Sequence, residues 1–283
     1  TISLNDAIPI SSAGLRFYGL AESRISDNVF IGGFAQAGAL FYLGGNNTFS
    51  NNTLVNVTMQ GLYLSNSTNN TLSGNYIYSD NQSAKGILLD VAANNNFFAD
   101  NIINLTGANS TAIEISSSKG NAFQNNSLLG FRLYALNLIR AINNTINDSY
   151  LPLSSGIGSM FVNESNGTIL FTQPMTFSIF ANLSNLIAIS FNRTFVNSTD
   201  GAGSQLNVTA RITMFGINLV NPAPYVDFED DGSFAACSSP QCVNLSYNAT
   251  TGTFIFNVSS FTSYRAQEEE MNNLPAITRL ILN

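Results

Sequence analysis

The sequence predicts an all-β protein in which a parallel β-helix of about six rungs precedes an antiparallel β-sandwich and a C-terminal strand-like tail. Three observations support this prediction: an Asn-anchored repeat in the first half, short strands without that repeat in the second half, and no stretch with the 10–15-residue periodicity of a helix. The expected boundaries are 1–155 for the β-helix, 156–266 for the sandwich and 267–283 for the tail.

The repeat in the first half is anchored on asparagine. The six anchors, spaced by 19, 23, 26, 25 and 23 residues, are Asn28, Asn47, Asn70, Asn96, Asn121 and Asn144. A large apolar residue follows two positions after each anchor, namely Phe30, Phe49, Leu72, Phe98, Phe123 and Ile146. A second asparagine follows five positions after four of the anchors, as Asn52, Asn75, Asn101 and Asn126. A short strand pattern that begins with a small residue, such as "GLYL" at Gly61, precedes the anchors.

Repeats of this length, built from short strands, predict stacked rungs that bury a continuous core. The anchor asparagines should then lie above one another at the spacing of hydrogen-bonded strands, about 4.8 Å. Inward Asn side chains stacked in this way can hydrogen-bond along the axis. Asn also tolerates the left-handed backbone of tight corners. The sequence therefore predicts two structural asparagine ladders.

The run "NNTLSGNYI", residues 69–77, resembles the right-handed parallel β-helix repeats of the NosD-like and pectate-lyase-like families. The resemblance covers roughly residues 10–152, and it implies a right-handed solenoid. That fold serves lyases, hydrolases, tailspikes and surface proteins, so the resemblance specifies architecture rather than activity. Copper delivery, a role implied by NosD-like relatives, is disfavoured because the His, Cys and Met ligands that copper prefers are nearly absent.

Twenty N-x-S/T sequons predict dense N-glycosylation. None of the ladder asparagines is itself an acceptor; in several turns the acceptor directly precedes one, so on an extended backbone we expect ladder residues to point inward and acceptors outward. Nine sequons continue beyond the repeat, where no ladder accounts for them. The acceptors are Asn46, Asn51, Asn56, Asn66, Asn69, Asn81, Asn104, Asn109, Asn125, Asn143, Asn147, Asn163, Asn166, Asn182, Asn192, Asn197, Asn207, Asn244, Asn248 and Asn257.

The second half contains two further candidate sites. Cys237 and Cys242, in "CSSPQC", predict a local disulfide, and a zinc site is disfavoured because His is absent from the chain. Asp227, Glu229 and Asp231, followed by a glycine, resemble a calcium loop, although Ser would replace the usual Glu at its twelfth position. The alternative is an acidic hairpin turn beside the disulfide. Apart from this candidate calcium, we expect no cofactor.

Composition excludes several function classes. With 10 Lys and Arg against 17 Asp and Glu, a net charge of −7 disfavours a nucleic-acid partner. No apolar run is long enough to insert into a membrane. Without His, a Ser-His-Asp triad is absent. The carboxylates of the first half are scattered, and only Asp90 and Glu114 lie at similar places on adjacent rungs; the eight are Asp6, Glu22, Asp27, Asp80, Asp90, Asp100, Glu114 and Asp148.

The tail suggests an association mode. "AITRLILN", residues 276–283, is an apolar strand-like segment separated from the last predicted strand by a polar linker. Such a segment can add to a sheet edge of another copy, as in donor-strand complementation, or fold back on its own chain; residues 1–10 are a second candidate donor. We therefore expect a structural subunit of an extracellular, glycosylated, archaeal-type filament or surface layer, with copies of itself and N-linked glycans as partners. The alternative is a secreted or surface β-helix that binds or cleaves polysaccharide.

Overall fold

The computed structural model describes residues 13–32, 36–141, 143–147, 149–151, 159–163, 165–173, 175–177, 181–199 and 201–269. The two candidate donor segments, 1–10 and 276–283, therefore lie outside the described residues. Asp6 and Asp148 also lie outside them.

Eighteen short strands build the first half. In chain order they are β1 (Ala13–Tyr18), β2 (Arg24–Ser26), β3 (Val29–Ile31), β4 (Ala37–Tyr42), β5 (Thr48–Ser50), β6 (Thr53–Val55), β7 (Gln60–Ser65), β8 (Thr71–Ser73), β9 (Tyr76–Ser79), β10 (Lys85–Asp90), β11 (Phe97–Ala99), β12 (Ile102–Leu105), β13 (Thr111–Ser116), β14 (Ala122–Gln124), β15 (Ser127–Leu129), β16 (Tyr134–Ile139), β17 (Thr145–Asn147) and β18 (Ser149–Leu151). Three strands make one turn, and equivalent strands of successive turns pair in parallel.

The turns stack into three parallel sheets. Sheet 1 contains β1-β4-β7-β10-β13-β16, sheet 2 contains β2-β5-β8-β11-β14-β17, and sheet 3 contains β3-β6-β9-β12-β15-β18. Alternate side chains point into the solenoid, where Phe49, Leu54 and Leu62 are at most 1% exposed. In β7 the small residue near the start of the strand is required by space, because a methyl group at Gly61 would lie 2.4 Å from a side-chain carbon of Ile77. The predicted parallel β-helix is confirmed.

The second half contains twelve strands and two single-turn helices. They are β19 (Met160–Asn163), β20 (Gly167–Phe171), β21 (Met175–Phe177), β22 (Ala181–Asn182), α1 (Leu183–Leu186), β23 (Ile187–Ser190), β24 (Arg193–Val196), α2 (Gly201–Ser204), β25 (Ala210–Met214), β26 (Pro222–Asp227), β27 (Ala235–Ala236), β28 (Cys242–Asn248), β29 (Thr253–Val258) and β30 (Ser263–Glu268). Its pairings are antiparallel, apart from the parallel contact of β19 with β16. The predicted all-β class is confirmed.

Strands of the second half close one end of the solenoid. β19 extends sheet 1, β22 extends sheet 2 and β21 extends sheet 3. Each of the three strand edges of the last turn is thereby paired. This closure satisfies backbone groups that an open solenoid end would expose.

The two halves share one sheet and one core. Sheet 1 continues through β19, β20, β25, β29 and β28 into an eleven-stranded sheet, whereas β23-β24-β30-β26-β27 form a separate antiparallel sheet 4. A single apolar cluster runs from Phe17 in the first turn to Ala266 in β30. The sequence predicted two successive β regions but not this continuous sheet. Within the described part of the chain, no helix is long and apolar enough to cross a membrane.

Candidate functional site

Two ladders of asparagine side chains run along the solenoid, one residue per turn. The first contains Asn47, Asn70, Asn96, Asn121 and Asn144; the second contains Asn28, Asn52, Asn75, Asn101 and Asn126. At each step the backbone N–H and Nδ2 of one Asn both donate to Oδ1 of the Asn in the next turn. These distances are 2.9–3.0 Å in the first ladder and 2.9–3.2 Å in the second.

The ladders provide hydrogen-bond acceptors for buried backbone N–H groups at the corners of the solenoid. All ten side chains are at most 4% exposed, so the N–H groups around them have no access to water. A buried N–H without an acceptor costs as much as a lost hydrogen bond. Between successive ladder residues, Oδ1 of the later Asn accepts both the backbone N–H and the Nδ2 of the earlier one. The last Nδ2 of each ladder donates to backbone carbonyls instead. The ladder asparagines are therefore structural parts of the solenoid.

The register predicted for the first turn is wrong. Asn28 bonds Asn52 and so belongs to the second ladder, whereas Ser23 holds the first-ladder place and donates its backbone N–H to Asn47 Oδ1 at 3.0 Å. Phe30 accordingly pairs with Leu54 rather than with Phe49. The spacing of 19 residues that began the predicted series reflects this shift, because Ser23 restores a spacing of 24.

Every residue that precedes a ladder position has a left-handed backbone. Before the first ladder these residues are Glu22, Asn46, Asn69, Asn95, Gly120 and Asn143, and before the second they are Asp27, Asn51, Gly74, Asp100 and Asn125. Asn, Asp and Gly adopt this conformation at low cost. Five of these corner residues are sequon asparagines. The left-handed backbone at these corners therefore favours asparagine whether or not the residue is glycosylated.

The acceptor side chains nevertheless point outward. Among those described, Asn46, Asn51, Asn56, Asn69, Asn109, Asn125, Asn143, Asn207, Asn244 and Asn248 are exposed, and Asn66, Asn81, Asn104, Asn163, Asn166, Asn192, Asn197 and Asn257 are half-buried. The side chains of Asn147 and Asn182 lie outside the description. Beyond the solenoid, Asn192 is the only acceptor with a positive φ that the description includes, so corner geometry does not explain the other described sequons there.

Hydrogen bonding divides the half-buried acceptors. Asn192 donates through Nδ2 to the carbonyl of Ala266 at 3.0 Å and accepts its N–H at 2.8 Å. The Nδ2 of Asn163 donates to the carbonyl of Ile189, and that of Asn81 to the carbonyl of Val57. In these three residues the nitrogen that a glycan would modify is already engaged.

The predicted disulfide between Cys237 and Cys242 is confirmed. The Cα atoms lie 5.5 Å apart, and the bond closes a loop at the start of β28. Both cysteines are consumed, so the described chain has no free thiol.

The predicted calcium loop is not formed, and the segment is an acidic turn between β26 and β27. Asp227 is 1% exposed, and its carboxylate accepts the N–H of Gly232 at 2.7 Å and that of Asp231 at 3.3 Å. The backbone N–H of Ser233 lowers the pKa of Asp231, while Glu229 is exposed. Among the described residues, no three His, Cys, Asp or Glu side chains could hold a metal together.

The outer face of sheet 1 carries the polar groups considered for an enzyme. Glu114 forms an ion pair with Lys85 at 2.5 Å and accepts from Asn137 Nδ2 at 3.1 Å. Asp90 accepts from the hydroxyl of Tyr63 at 3.4 Å, and burial is the main cause that raises the pKa of this tyrosine.

The structure does not bring Asp90 and Glu114 together as a pair. Glu114 lies opposite Leu88 in the register of sheet 1, and Asp90 lies opposite Ser65. The two carboxylates are therefore two positions apart along the strand, and each has its own hydrogen-bond partners.

An apolar cavity of about 520 Å³ lies where the solenoid meets the second half. Its lining comprises Leu138, Arg140, Ala141, Asn144, Phe161, Val162, Asn163, Leu183, Ile187 and Ile189. Among the described residues of this lining, Arg140 is the one that is ionisable, so they supply no acid–base pair.

Comparison with known proteins identifies the family. The family described as periplasmic copper-binding protein (NosD) matches residues 1–150, more than half of the chain. The chain belongs to the NosD family. A solved structure, described as "Pantoea stewartii WceF is a glycan biofilm modifying enzyme with a bacteriophage tailspike-like parallel beta-helix fold", is 11% identical over 93% of this chain, with a TM-score of 0.21. The chain spans about half (48%) of the length of that protein. Among curated proteins, no sequence matches the chain.

Copper in the family description does not fit the residues of this chain. The protein has no His, and Cys237 and Cys242 are joined to each other. Of its five Met, Met175 and Met214 lie in the apolar core at no more than 2% exposure. Copper sites draw on imidazole, thiolate and thioether ligands. The described residues therefore offer no such donor set.

Proposed function

We propose that the protein is a structural subunit of an extracellular, glycosylated filament or surface layer of archaeal type. Its copies would join by β-strand addition, with 276–283 or 1–10 as the donor strand. The periplasmic description of the family and the disulfide support a location outside the cytoplasm.

The observation that carries this proposal is the asymmetry of the solenoid. At one end, β19, β22 and β21 close all three sheets. At the other end, β1, β2 and β3 have no strand beyond them among the described residues. A sheet edge at this end of the solenoid would serve as a template for a strand from another chain. Use of one donor and one edge by every copy gives a head-to-tail contact, which propagates unless it closes into a ring.

Glycans are the second part of the proposal. Only 10% of residues are charged, so the surface has few ionic groups to keep it hydrated. Sugars on outward acceptors would solubilise and shield such a surface. The sequons of the second half support this best, because only one described acceptor there has the left-handed backbone that independently favours Asn.

Electron microscopy of the full-length protein tests the assembly. We expect negatively stained filaments or sheets, which disappear when the donor strand is deleted. Deletions of 276–283 and of 1–10 should be compared with a full-length variant carrying L280S and L282S, and with T278S as a conservative control. Polymers that persist in both deletions would contradict strand addition. A full-length protein that stays monomeric at all concentrations would contradict the subunit role.

A second candidate function is polysaccharide binding or cleavage by the outer face of sheet 1. The Tyr18 and Tyr42 rings lie 5.4 Å apart on this face, and their row across the strands continues through Ser65 to Asp90. Aromatic rings and polar side chains in one row are suited to sugar surfaces. Glycan binding or hydrolysis that falls in D90N and E114Q, but not in D80N, would favour this function over the structural one.

A further inference from the structure

The apolar cavity at the junction of the two halves adjoins a smaller polar pocket of about 330 Å³. The polar pocket is lined by Ala92, Asn94, Ser117, Ser118, Lys119 and Arg140. Arg140 lines both spaces. They also meet at a hydrogen bond, because Asn144 of the cavity donates through Nδ2 to the carbonyl of Ser118 of the pocket at 3.2 Å. The two spaces are therefore direct neighbours.

The walls of the apolar cavity come from both halves of the chain. They include Leu138 of β16, Phe161 of β19, and Ile187 and Ile189 of β23. Leu138 and Phe161 are at most 6% exposed, whereas the two isoleucines are half-buried, so one side of the wall contacts solvent. Protein interiors contain few voids larger than a water molecule. A space of about 520 Å³ with mostly apolar walls has instead the size and lining of a small-molecule site.

The polar pocket concentrates positive charge in a chain that has little of it. Lys119 and Arg140 are two of only ten Lys and Arg residues, and the net charge of the protein is −7. Both side chains are exposed. The described residues that line the cavity and the pocket include no Asp or Glu. The pocket therefore suits an anionic group, which accepts strong charge-assisted hydrogen bonds from Lys and Arg.

Neighbouring polar groups support the same assignment. Asn94 accepts the backbone N–H of Lys119 on its Oδ1 at 2.9 Å, which fixes the corner that carries the lysine. Ser117 and Ser118 place hydroxyl groups in the same lining. Hydroxyl and amide N–H groups are donors to carboxylate and phosphate oxygens.

We propose that the cavity and the pocket form one binding site for an amphiphile with a single hydrocarbon chain and an anionic head group, the chemistry of a fatty acid. The hydrocarbon chain occupies the apolar cavity, and the carboxylate binds Lys119 and Arg140. Arg140 lies where head and hydrocarbon chain meet, because it lines both spaces. Its guanidinium has five N–H donors, so it can bind a carboxylate in addition to the interaction that Arg140 already makes within the protein.

Neither part of the site accounts for the other. A free anion would use the two exposed cations, whose attraction is weakened by water and salt, and would leave the cavity empty. An uncharged apolar molecule would fill the cavity without using Lys119 or Arg140. An anionic amphiphile uses both parts: burial of its methylene groups supplies affinity, and its head group sets its orientation. The site does not depend on the proposed assembly of copies.

Titration calorimetry of the full chain, produced in a host without N-glycosylation, tests the site. Octanoate and decanoate, below their micelle concentrations, should bind saturably with one molecule per protein. Affinity should rise by about fourfold for each added methylene group. Decan-1-ol, which lacks the charge, should bind at least about tenfold more weakly than decanoate. Inorganic phosphate, which lacks the hydrocarbon chain, should show no saturable binding. No saturable binding of decanoate would overturn the site, and equal binding of decanoate and decan-1-ol would overturn the anionic head.

Variants locate the ligand. K119Q with R140Q should weaken decanoate binding by at least about tenfold and leave decan-1-ol binding unchanged. The matched control is R16Q with R24Q, which removes two exposed cations from the first described turn. An equal loss in the control would show non-specific attraction to charge and overturn the assignment. A141F, which adds a ring to the cavity wall, should abolish binding of both ligands. Retained binding in A141F, with an unchanged Tm as evidence of folding, would place the ligand elsewhere and overturn the proposal.

Discussion

Replacement of a ladder asparagine should be far more damaging than replacement of its neighbour in the same sequon. Asn52 is 0% exposed, and its Oδ1 accepts the backbone N–H and Nδ2 of Asn28, each at 3.0 Å. Its Nδ2 donates to the carbonyls of Ile25 and Ser50 and to Oδ1 of Asn75, at 3.0–3.2 Å. The variant N52A removes all of these bonds from one buried corner.

The cost can be worked from these contacts. The backbone N–H of Asn28 would lose its acceptor in a buried place, a penalty of about 1–3 kcal/mol. The remaining bonds contribute about 0.5–1.5 kcal/mol each, with partial compensation because the carbonyls keep other donors. A total of about 4 kcal/mol follows. For a chain of this size, that loss corresponds to a fall in Tm of about 10 °C.

Thermal unfolding followed by circular dichroism, in a host without N-glycosylation, measures the effect. The matched control is N51G: Asn51 is exposed with a φ of 55°, and Gly74 occupies the equivalent corner one turn later with a φ of 64°. We expect N51G to change Tm by no more than about 2 °C. Equal changes in Tm for the two variants would refute the structural role assigned to the ladder.

Three further outcomes are expected. Burial raises the pKa of Tyr264 from 10.0 to about 12, so its stabilising contribution of about 2–3 kcal/mol is complete below pH 10 and lost as pH rises to 12; in Y264F the alkaline loss of Tm over this interval should be smaller. D227N should lower stability by about 1–2 kcal/mol because the carboxylate that accepts from Gly232 becomes an amide, and calcium should leave the wild-type Tm unchanged. In glycopeptide mapping, occupancy should be low at Asn192 and high at Asn248; the reverse order would contradict the exposure argument.

The solenoid could be predicted because the residues that repeat in the sequence are those whose side chains point inward. Asn at the ladders and large apolar residues two positions later are demanded by burial, so their spacing reports the turn length directly. The first turn departs from the predicted register because that demand is weaker there. Ser23 uses only its backbone N–H at the ladder, so its side chain need not be Asn, and Asn28 is the Asn that fits the anchor pattern in this turn.

Other features were beyond local patterns. The pairing of β16 with β19 joins the two halves into one sheet across a chain segment that carries no repeat, and nothing in either strand specifies its partner. In the acidic turn the opposite holds, because a sequence motif is present but the site that it predicts is not formed. Its carboxylates match a calcium motif in spacing, but Asp227 faces the backbone N–H groups of its own turn, and sequence does not distinguish a turn acceptor from a metal ligand.

The structural role and the glycosylation role of a corner asparagine can be tested separately at Asn69. Asn69 is exposed, has a φ of 56° and precedes ladder residue Asn70, so it serves both as a corner residue and as a sequon acceptor. N69G, N69A and T71V all destroy the sequon, and each should remove the same single glycan mass in a glycosylating host. In a host without glycosylation, N69A should lose about 1 kcal/mol because alanine resists the left-handed backbone, whereas N69G should lose much less. If glycine and alanine were equally destabilising, the corner would not select its residue by backbone conformation. If none of the three variants changed the intact mass by more than the substitution itself, Asn69 would carry no glycan and would have only its structural role at the corner.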